Sequence, residues 1–177
     1  MTAEGGTTPV RVLLIGMMGA GKTTVGRALS RRAGWSYRDN DEILAEVEGI
    51  ATDELLQQRG RDALRAAESH ALDRVLSSEP PLIAGIAGGV IESAQDRDRM
   101  SGPDAFVVYL HAPIEVLVDR VGTGAGRPWL QPDPESALRS LFDGRDDLYR
   151  DVADLVIDTH HGDAEQHADQ IAAALGR

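Results

Sequence analysis

Short apolar runs alternate along the chain with longer segments in which apolar residues recur every three or four positions. The short runs are typical of buried strands, and they lie at Val10–Ile15, Trp35–Arg38, Leu82–Ala84, Ala105–Leu110 and Leu155–Asp158. The periodic segments predict helices, which cover Thr23–Arg32, Asp41–Glu48, Thr52–Arg59, Arg61–Leu76, Pro113–Val121, Pro134–Asp151 and Ala164–Leu175. This alternation favours an α/β fold with a five-stranded parallel sheet, helices on both faces, and ligands at the carboxyl ends of the strands.

Two segments lack this periodicity. Residues 1–8 are a polar stretch that we expect to be a flexible tail. Residues 122–133 contain three glycines and two prolines, and such a loop inside a small domain is typical of a flexible lid. Residues 1–177 together fit a single domain that is long enough to bury a core. Thr52 is expected to cap the helix that it begins.

Composition argues against several classes of protein. The 18 Lys and Arg residues against 29 Asp and Glu residues give a net charge of −11, and a nucleic-acid partner would require clustered positive charge. The absence of cysteine excludes disulfides and thiolate metal sites. No N-terminal apolar stretch has the length of a signal peptide or a membrane span, so we expect a cytoplasmic protein without a membrane partner. Strong net charge and few apolar surface runs favour a monomer.

The strongest motif follows the first predicted strand. Residues 16–24 have the sequence G-M-M-G-A-G-K-T-T, which matches the phosphate-binding loop G-x-x-x-x-G-K-[ST]. Its glycines let successive N–H groups point at phosphate oxygens, and the next helix directs its positive end at them. We therefore predict a nucleoside triphosphate site, with Lys22 on the β- and γ-phosphates and Thr23 on Mg²⁺. The predicted nucleotide-binding residues of this loop are Gly19, Ala20, Gly21, Lys22, Thr23 and Thr24.

Two clusters of charged residues follow the second predicted strand. Asp39-Asn40-Asp41 holds two carboxylates at i and i+2, so that one can face Mg²⁺ while the other faces a neighbouring pocket. Alternatively, Asp41 only caps the next helix. Arg65 lies four residues after Arg61 and three before Glu68, a spacing that is also typical of an exposed ion pair.

Small residues and arginines complete the pattern. Residues 85–89, G-I-A-G-G, follow a strand directly and either allow a ligand close to the backbone or form an ordinary turn. Arg120, Arg127 in the predicted lid, and Arg145 would suit a triphosphate and an anionic acceptor if they converge. His160 and His161 are adjacent, so we expect their side chains to point apart as solvated loop residues rather than as metal ligands.

Together these clusters resemble the shikimate kinase family over about residues 10–160. The family pattern G-[FM]-M-G-[AS]-G-K-[ST]-T-V-G is matched by residues 16–26, D-[TS]-D by residues 39–41, and G-E-x-x-F-R-x-x-E by residues 60–68. G-G-G is matched by residues 87–89, R-P-L-L by residues 127–130, and R-x-x-L-Y by residues 145–149. The resemblance implies a P-loop kinase fold. It also implies transfer of the γ-phosphate of ATP to a hydroxyl of shikimate, giving shikimate 3-phosphate in aromatic amino-acid biosynthesis.

The resemblance also implies a role for each matched residue. Asp39 would join Thr23 in holding Mg²⁺, and Asp41 would hold the acceptor hydroxyl and could deprotonate it. The acceptor would lie against the helices of about residues 41–76, with its carboxylate bound by Arg65 and Arg145. The other implied residues are Gly88 and Gly89 for the acceptor, Arg120 and Arg127 for the nucleotide, and Lys22 and Arg127 as catalytic cations beside Asp41.

Three of the departures from the family pattern lie in the acceptor motifs. Arg61 stands where the family has Glu, Leu64 where it has Phe, and Ala87 where it has Gly. They leave open a related cyclitol or hydroxy acid as acceptor, or a paralogue that binds nucleotide but has lost the activity. A nucleoside monophosphate kinase, a gluconate-type kinase or a regulatory nucleotide switch fits the motifs less well, and the N-K-x-D of GTPases is absent from the sequence.

Overall fold

Five short strands form one parallel sheet in a computed structural model that describes residues 10–124, 127 and 130–176. The strands are β1 (Arg11–Ile15), β2 (Ser36–Arg38), β3 (Leu82–Gly85), β4 (Ala105–His111) and β5 (Leu155–Asp158). Their order across the sheet is β2-β3-β1-β4-β5, and each neighbouring pair is parallel. In this register Leu13 of β1 lies opposite Ala84 on one side and Val107 on the other.

Helices connect these strands and cover both faces of the sheet. They are α1 (Lys22–Ala33), α2 (Asn40–Glu48), α3 (Thr52–Ser77), α4 (Ala94–Met100), α5 (Ile114–Val121), α6 (Pro134–Val152) and α7 (Ala164–Ala174). The four side chains of β1 from Val12 to Ile15 are all buried. Because successive side chains point to opposite faces, both faces of this central strand are covered. Helix α1 packs against α7, and α5 packs against α6.

The chain reverses its direction across the sheet at β1. From β1 it passes to β2 and β3 on one side, and from β3 it crosses to β4 and β5 on the other. In open α/β sheets such a reversal leaves a crevice at the carboxyl ends of the strands. Residues that follow β1, β2 and β3 line one cavity at this point, so the topology brings the sequence motifs together.

The predicted α/β fold with a five-stranded parallel sheet is confirmed, but several helix boundaries differ from the prediction. The separation into the predicted helices Thr52–Arg59 and Arg61–Leu76 is confirmed, because α3 consists of two helical segments that meet at Gly60, where φ of 80° and ψ of −176° are not helical. The N-cap of α3 is Ala51, so the prediction that Thr52 caps it is wrong. The N-cap of α2 is Asp39 rather than Asp41, because the Asp39 side chain accepts the Asp41 N–H.

Two short elements between β3 and β4 are absent from the sequence prediction. They are a 3₁₀ turn at Val90–Glu92 and helix α4. Both are short, and the charged sequence of α4 has no helical apolar period, which is the signal on which the prediction depended. The sequence feature that does mark the start of α4 is its N-cap residue, because the Ser93 hydroxyl accepts a hydrogen bond from the Asp96 N–H at 3.2 Å.

Some predictions fall outside the described residues. The predicted tail lies wholly outside, and the predicted lid lies partly outside, at residues 125, 126, 128 and 129. The lid therefore stays a prediction. The organisation as a single domain also stays a prediction. Of the described lid residues, Leu130 is fully buried. Within the described ranges, no helix combines the length and the apolar character needed to cross a membrane.

Candidate active site

The loop between β1 and α1 is shaped by close backbone packing. Gly16 has a φ of 142°, and a Cβ at this position would lie 2.5 Å from the carbonyl oxygen of Leu110 in β4. A larger residue is therefore excluded by both backbone conformation and space. The Ala20 N–H donates to the Met17 carbonyl at 3.1 Å, and α1 then begins at Lys22. The first turn of a helix at this position offers N–H groups to an anion.

Lys22 lies inside this loop, held by its backbone. Its Nζ donates to the carbonyl oxygens of Gly16 at 2.7 Å and Met17 at 3.1 Å. Burial lowers the pKa of Lys22 from 10.5 to about 8, although the neighbouring Asp39 carboxylate opposes this shift. The ammonium group thus lacks the counter-charge that would stabilise it fully, and a phosphate could provide that charge.

Thr23 and Asp39 form a second polar pair beside Lys22. The Thr23 hydroxyl donates to Oδ2 of Asp39 at 2.8 Å, and the Tyr37 hydroxyl donates to the same oxygen at 2.9 Å. Burial raises the pKa of Tyr37, which therefore stays a donor at neutral pH. One hydroxyl and one carboxylate fit Mg²⁺, which takes few protein ligands and fills its shell with phosphate oxygens and water.

Asp41 lies in the first turn of α2, within the same cavity as Asp39. Its Oδ1 accepts a hydrogen bond from the Thr52 hydroxyl at 3.0 Å. This bond holds one carboxylate oxygen and leaves Oδ2 for a ligand. The alternative in which Asp41 only caps a helix is wrong, since Asp39 is the cap.

Arg65 of α3 and Arg145 of α6 meet around two glutamates. Arg65 donates through Nη1 to Glu68 at 2.6 Å, and its Nε lies 3.3 Å from Glu92. Arg145 donates through Nε at 2.8 Å and Nη2 at 2.6 Å to Oε1 of Glu92. Burial raises the pKa of Glu68, an effect that the bond to Arg65 partly offsets. Arg65 is partly buried and pairs with both the buried Glu68 and the exposed Glu92, so it takes part in a network of four charged groups rather than in an isolated ion pair.

Two glycines let these arginines approach the backbone after β3. A Cβ at Gly89 would lie 1.6 Å from Nη1 of Arg65, and one at Gly88 would lie 3.2 Å from Nη1 of Arg145. The Tyr149 hydroxyl donates to the Gly88 carbonyl at 2.9 Å and fixes this strip of backbone. Residues 85–89 are therefore more than an ordinary turn, because two of them make room for cationic side chains.

One cavity of about 670 Å³ contains both groups of residues. The phosphate-binding loop lines one part of it, and the two arginines with Gly88 and Gly89 line another. Arg127 of the predicted lid also lines it. The three residues that depart from the family's acceptor motifs, Arg61, Leu64 and Ala87, are all in its wall.

Arg120 lies outside this cavity and lines a smaller one of about 440 Å³ together with His160. It donates to the Gly19 carbonyl at 3.1 Å and to the Thr159 carbonyl at 2.6 Å. Arg120 therefore joins the phosphate-binding loop to the chain after β5. The His160 and His161 rings contact each other, with centroids 4.3 Å apart, so the expectation that they point apart is wrong.

Three residues of the site were not predicted from the sequence to belong to it. Glu92 lies in a 3₁₀ turn without a periodic signal, and its partners are 27 and 53 residues away along the chain. Thr52 is 11 residues from Asp41, and Tyr37 precedes the D-x-D motif. Only the position of Tyr37, two residues before Asp39 at the end of a strand, is a usable signal, because i and i+2 side chains share one face.

Comparisons with known proteins agree with this geometry. The shikimate kinase family model matches residues 18–176. The shikimate kinase of Halorhodospira halophila is 37% identical over 169 residues, which are 95% of this chain and 94% of that protein. The structure of shikimate kinase from Acinetobacter baumannii in complex with shikimate aligns with a TM-score of 0.88 at 34% identity, covering 96% of this chain and 94% of that one. The shikimate kinase structure from Aquifex aeolicus aligns with a TM-score of 0.77 at 25% identity, covering 94% and 96%. This chain belongs to the shikimate kinase family.

Proposed function

We propose that this protein transfers the γ-phosphate of ATP to a hydroxyl of shikimate, giving shikimate 3-phosphate and ADP. The observation that carries the proposal is that one cavity holds the phosphate-binding loop together with Arg65 and Arg145. A cation pair of this kind suits a planar carboxylate, which guanidinium groups bind through two parallel hydrogen bonds. An acceptor with one carboxylate and neighbouring hydroxyls fits this combination of groups.

Charge neutralisation is the main demand of phosphoryl transfer. Lys22 would bind the β- and γ-phosphates, and Arg127 would approach them from the predicted lid. Thr23 and Asp39 would hold Mg²⁺, which when bound neutralises phosphate charge. Gly19, Ala20, Gly21 and Thr24 would cradle the phosphates through the loop and the first turn of α1, and Arg120 would support the loop from behind.

Orientation of the acceptor is the second demand. Arg65 and Arg145 would bind the carboxylate against Gly88 and Gly89, far from the reacting oxygen, so that binding energy aims one hydroxyl at the γ-phosphate. Asp41 would accept the proton of that hydroxyl on Oδ2. The acceptor oxygen then forms the new bond to phosphorus as the bond to the β-phosphate oxygen breaks and ADP leaves.

Closure of residues 122–133 over the nucleotide completes the proposal. Transfer to an alcohol requires that water be kept away from the γ-phosphate. Arg127 lines the cavity from this segment, which supports its role as a cation that arrives with the lid.

A cytoplasmic monomer fits the surface, since among the described residues the large apolar side chains that are exposed are Val47 and Val156.

A related cyclitol or hydroxy acid is the second candidate acceptor. Arg61, Leu64 and Ala87 replace the family's Glu, Phe and Gly, and all three line the cavity. Arg61 adds positive charge beside Arg65, and Leu64 removes an aromatic wall. These changes affect the acceptor without touching the phosphate-binding loop.

The test is ADP release in a coupled assay with Mg·ATP. Reactions without acceptor, with shikimate, and with related cyclitols, hydroxy acids, gluconate and nucleoside monophosphates are compared. Rapid release that depends on shikimate is expected. Release with another compound and not with shikimate would assign that acceptor instead, while nucleotide binding without release in any reaction would contradict a kinase function.

A further inference from the structure

Glu92 joins the two arginines that the proposed function assigns to the acceptor carboxylate. Its Oε1 accepts two hydrogen bonds from Arg145, at 2.8 Å from Nε and 2.6 Å from Nη2. Its Oε2 lies 3.3 Å from Nε of Arg65. The three groups come from separate elements, namely the 3₁₀ turn after β3, α6 and α3. Glu92 therefore sets the spacing between two guanidinium groups that are otherwise connected only through the fold.

The position of Arg145 depends on this carboxylate. Arg145 is only 5% exposed, and among the described residues Glu92 is the one acidic side chain paired with it. A buried cation without a partner is strongly unfavourable, so its side chain moves towards solvent or neighbouring groups when the partner is lost. Although burial alone would raise the pKa of Glu92, the hydrogen bonds and charges of Arg145 and Arg65 lower it. The carboxylate is thus ionised at neutral pH.

The bonds to Glu92 use one edge of each guanidinium group. On Arg145 they occupy Nε and Nη2, and Nη1 lies at the backbone of Gly88. On Arg65 the two glutamates contact Nε and Nη1, which leaves Nη2. Both arginines line the cavity, and Glu92 lies outside its lining. The Glu92 side chain, which is 43% exposed, therefore contacts the arginines from outside the lining of the cavity and leaves their remaining donors for the acceptor.

We propose that Glu92 is a positioning residue that holds Arg65 and Arg145 as one carboxylate-binding unit and thereby sets the affinity for the acceptor. The proposal rests on the proposed function, because it assumes that these arginines bind the acceptor. A positioning role for Glu92 differs from the role of an anion that competes with the acceptor. A competing carboxylate would occupy the acceptor's place and weaken binding, whereas a positioning carboxylate strengthens it.

Steady-state kinetics with ATP and shikimate separate these roles. Glu92→Gln keeps the shape and an oxygen acceptor for Arg145 but loses the charge, and Glu92→Ala removes both. Glu165→Gln is the matched control, since Glu165 makes an exposed ion pair with Arg31 on the far helices α1 and α7. Thermal unfolding of each variant verifies that it is folded.

The expected result is a rise in the Michaelis constant for shikimate. In Glu92→Ala this constant should rise by about tenfold or more, because a charge-assisted hydrogen bond contributes that much to affinity. In Glu92→Gln the constant should rise by less. The Michaelis constant for ATP should not change, and kcat should change far less than the shikimate constant. An unchanged shikimate constant, or a lower one as expected for a competing anion, would overturn the proposal.

A second readout does not depend on the acceptor. In protein labelled with ¹⁵N-arginine and free of ligand, the Nε–H signal of Arg145, assigned with Arg145→Lys, should be protected from exchange with water. Glu92→Ala should abolish this protection, and Glu165→Gln should preserve it. Protection that survives in Glu92→Ala would overturn the proposal even if shikimate proves not to be the acceptor. Lost protection in an enzyme that is inactive with shikimate would instead reject only the proposed function.

Discussion

The nucleotide end and the acceptor end of the cavity are built in different ways. The proposed nucleotide end consists mainly of residues 16–24, which follow one another along the chain, and the groups that would bind the nucleotide there are largely backbone atoms. The acceptor end brings together α2, α3, the segment after β3, and α6. Its ligand groups are charged side chains held by other charged side chains, such as Arg145 by Glu92.

This difference explains where the chain departs from its family. A backbone-built site tolerates few substitutions, because glycines such as Gly16 have no room for a Cβ. A side-chain site can exchange one contact for another while the fold stays the same. Arg61, Leu64 and Ala87, which are three of its departures from the family pattern, lie at the acceptor end. We therefore expect substitutions at the two ends to have separable kinetic effects.

The largest effect is expected from Lys22→Ala at the nucleotide end. Loss of a cation that neutralises the transferring phosphate should lower kcat by about 10²- to 10³-fold. The shikimate Michaelis constant should change little, because Lys22 contacts the loop rather than the acceptor arginines. Steady-state kinetics measure both constants. Arg31→Ala, which removes an exposed ion pair, is measured in the same way as the control. Near-normal turnover would contradict the role given to Lys22.

The next effect is expected from Arg65→Ala at the acceptor end. Removing charge-assisted bonds to a carboxylate should raise the shikimate Michaelis constant by about 10- to 100-fold, with a much smaller change for ATP. Arg61→Ala is the matched variant, since Arg61 lines the same cavity one helical turn earlier. Arg61→Ala should raise the shikimate Michaelis constant by less than Arg65→Ala does. Equal increases for both substrates would show that the two ends are not separable.

Gly89→Ala should have a smaller effect of the same kind. Its new methyl group would overlap Nη1 of Arg65, so the guanidinium group must move and the shikimate Michaelis constant should rise by about tenfold. Gly144→Ala is the control, because it lies inside α6 with nothing within 4 Å of the added Cβ. It should keep normal kinetics and gain up to about 1 kcal/mol of helix stability. Normal shikimate kinetics in Gly89→Ala would argue against close packing of Arg65.

The smallest effect is a pH dependence of nucleotide binding. Lys22 has a pKa of about 8 in the free protein, and nearby phosphates would favour its charged form. ADP binding above pH 8 should therefore take up a proton, and the affinity should fall by up to about tenfold per pH unit. Calorimetry in buffers of different ionisation enthalpy measures this uptake. Binding without proton uptake at pH 9 would mean that Lys22 is still charged there.

The same pKa has an opposite consequence for stability. Lys22 binds its proton less tightly in the folded protein than at its ordinary pKa of 10.5. The cost of burying the ammonium group is fully present below about pH 8 and is relieved between about pH 8 and 10.5, so this group's contribution to stability rises with pH there. Because Lys22 is the only lysine in the sequence, lysine-selective labelling gives one NMR signal that reports its titration directly.

The sequence by itself determined the five strands, the phosphate-binding loop and the family. These features depend on residues that are close along the chain, where periodicity, cap chemistry and glycine spacing act directly. Errors fell where a short element has no period, as in α4, or where two neighbouring residues could each cap one helix, as with Ala51 and Thr52. In both cases the local preference is too weak to decide the structure.

Only the tertiary structure decided how the acceptor end is assembled. The family resemblance implied that Arg65 and Arg145 share a ligand, but nothing in the sequence indicated that Glu92 lies between them, because its contact with Arg145 spans 53 residues. It likewise did not indicate that Thr52 holds Asp41 or that Gly89 makes room for Arg65. A hydrogen bond between distant residues depends on how the helices pack on the sheet. That packing is set by the whole core and leaves no local pattern in the sequence.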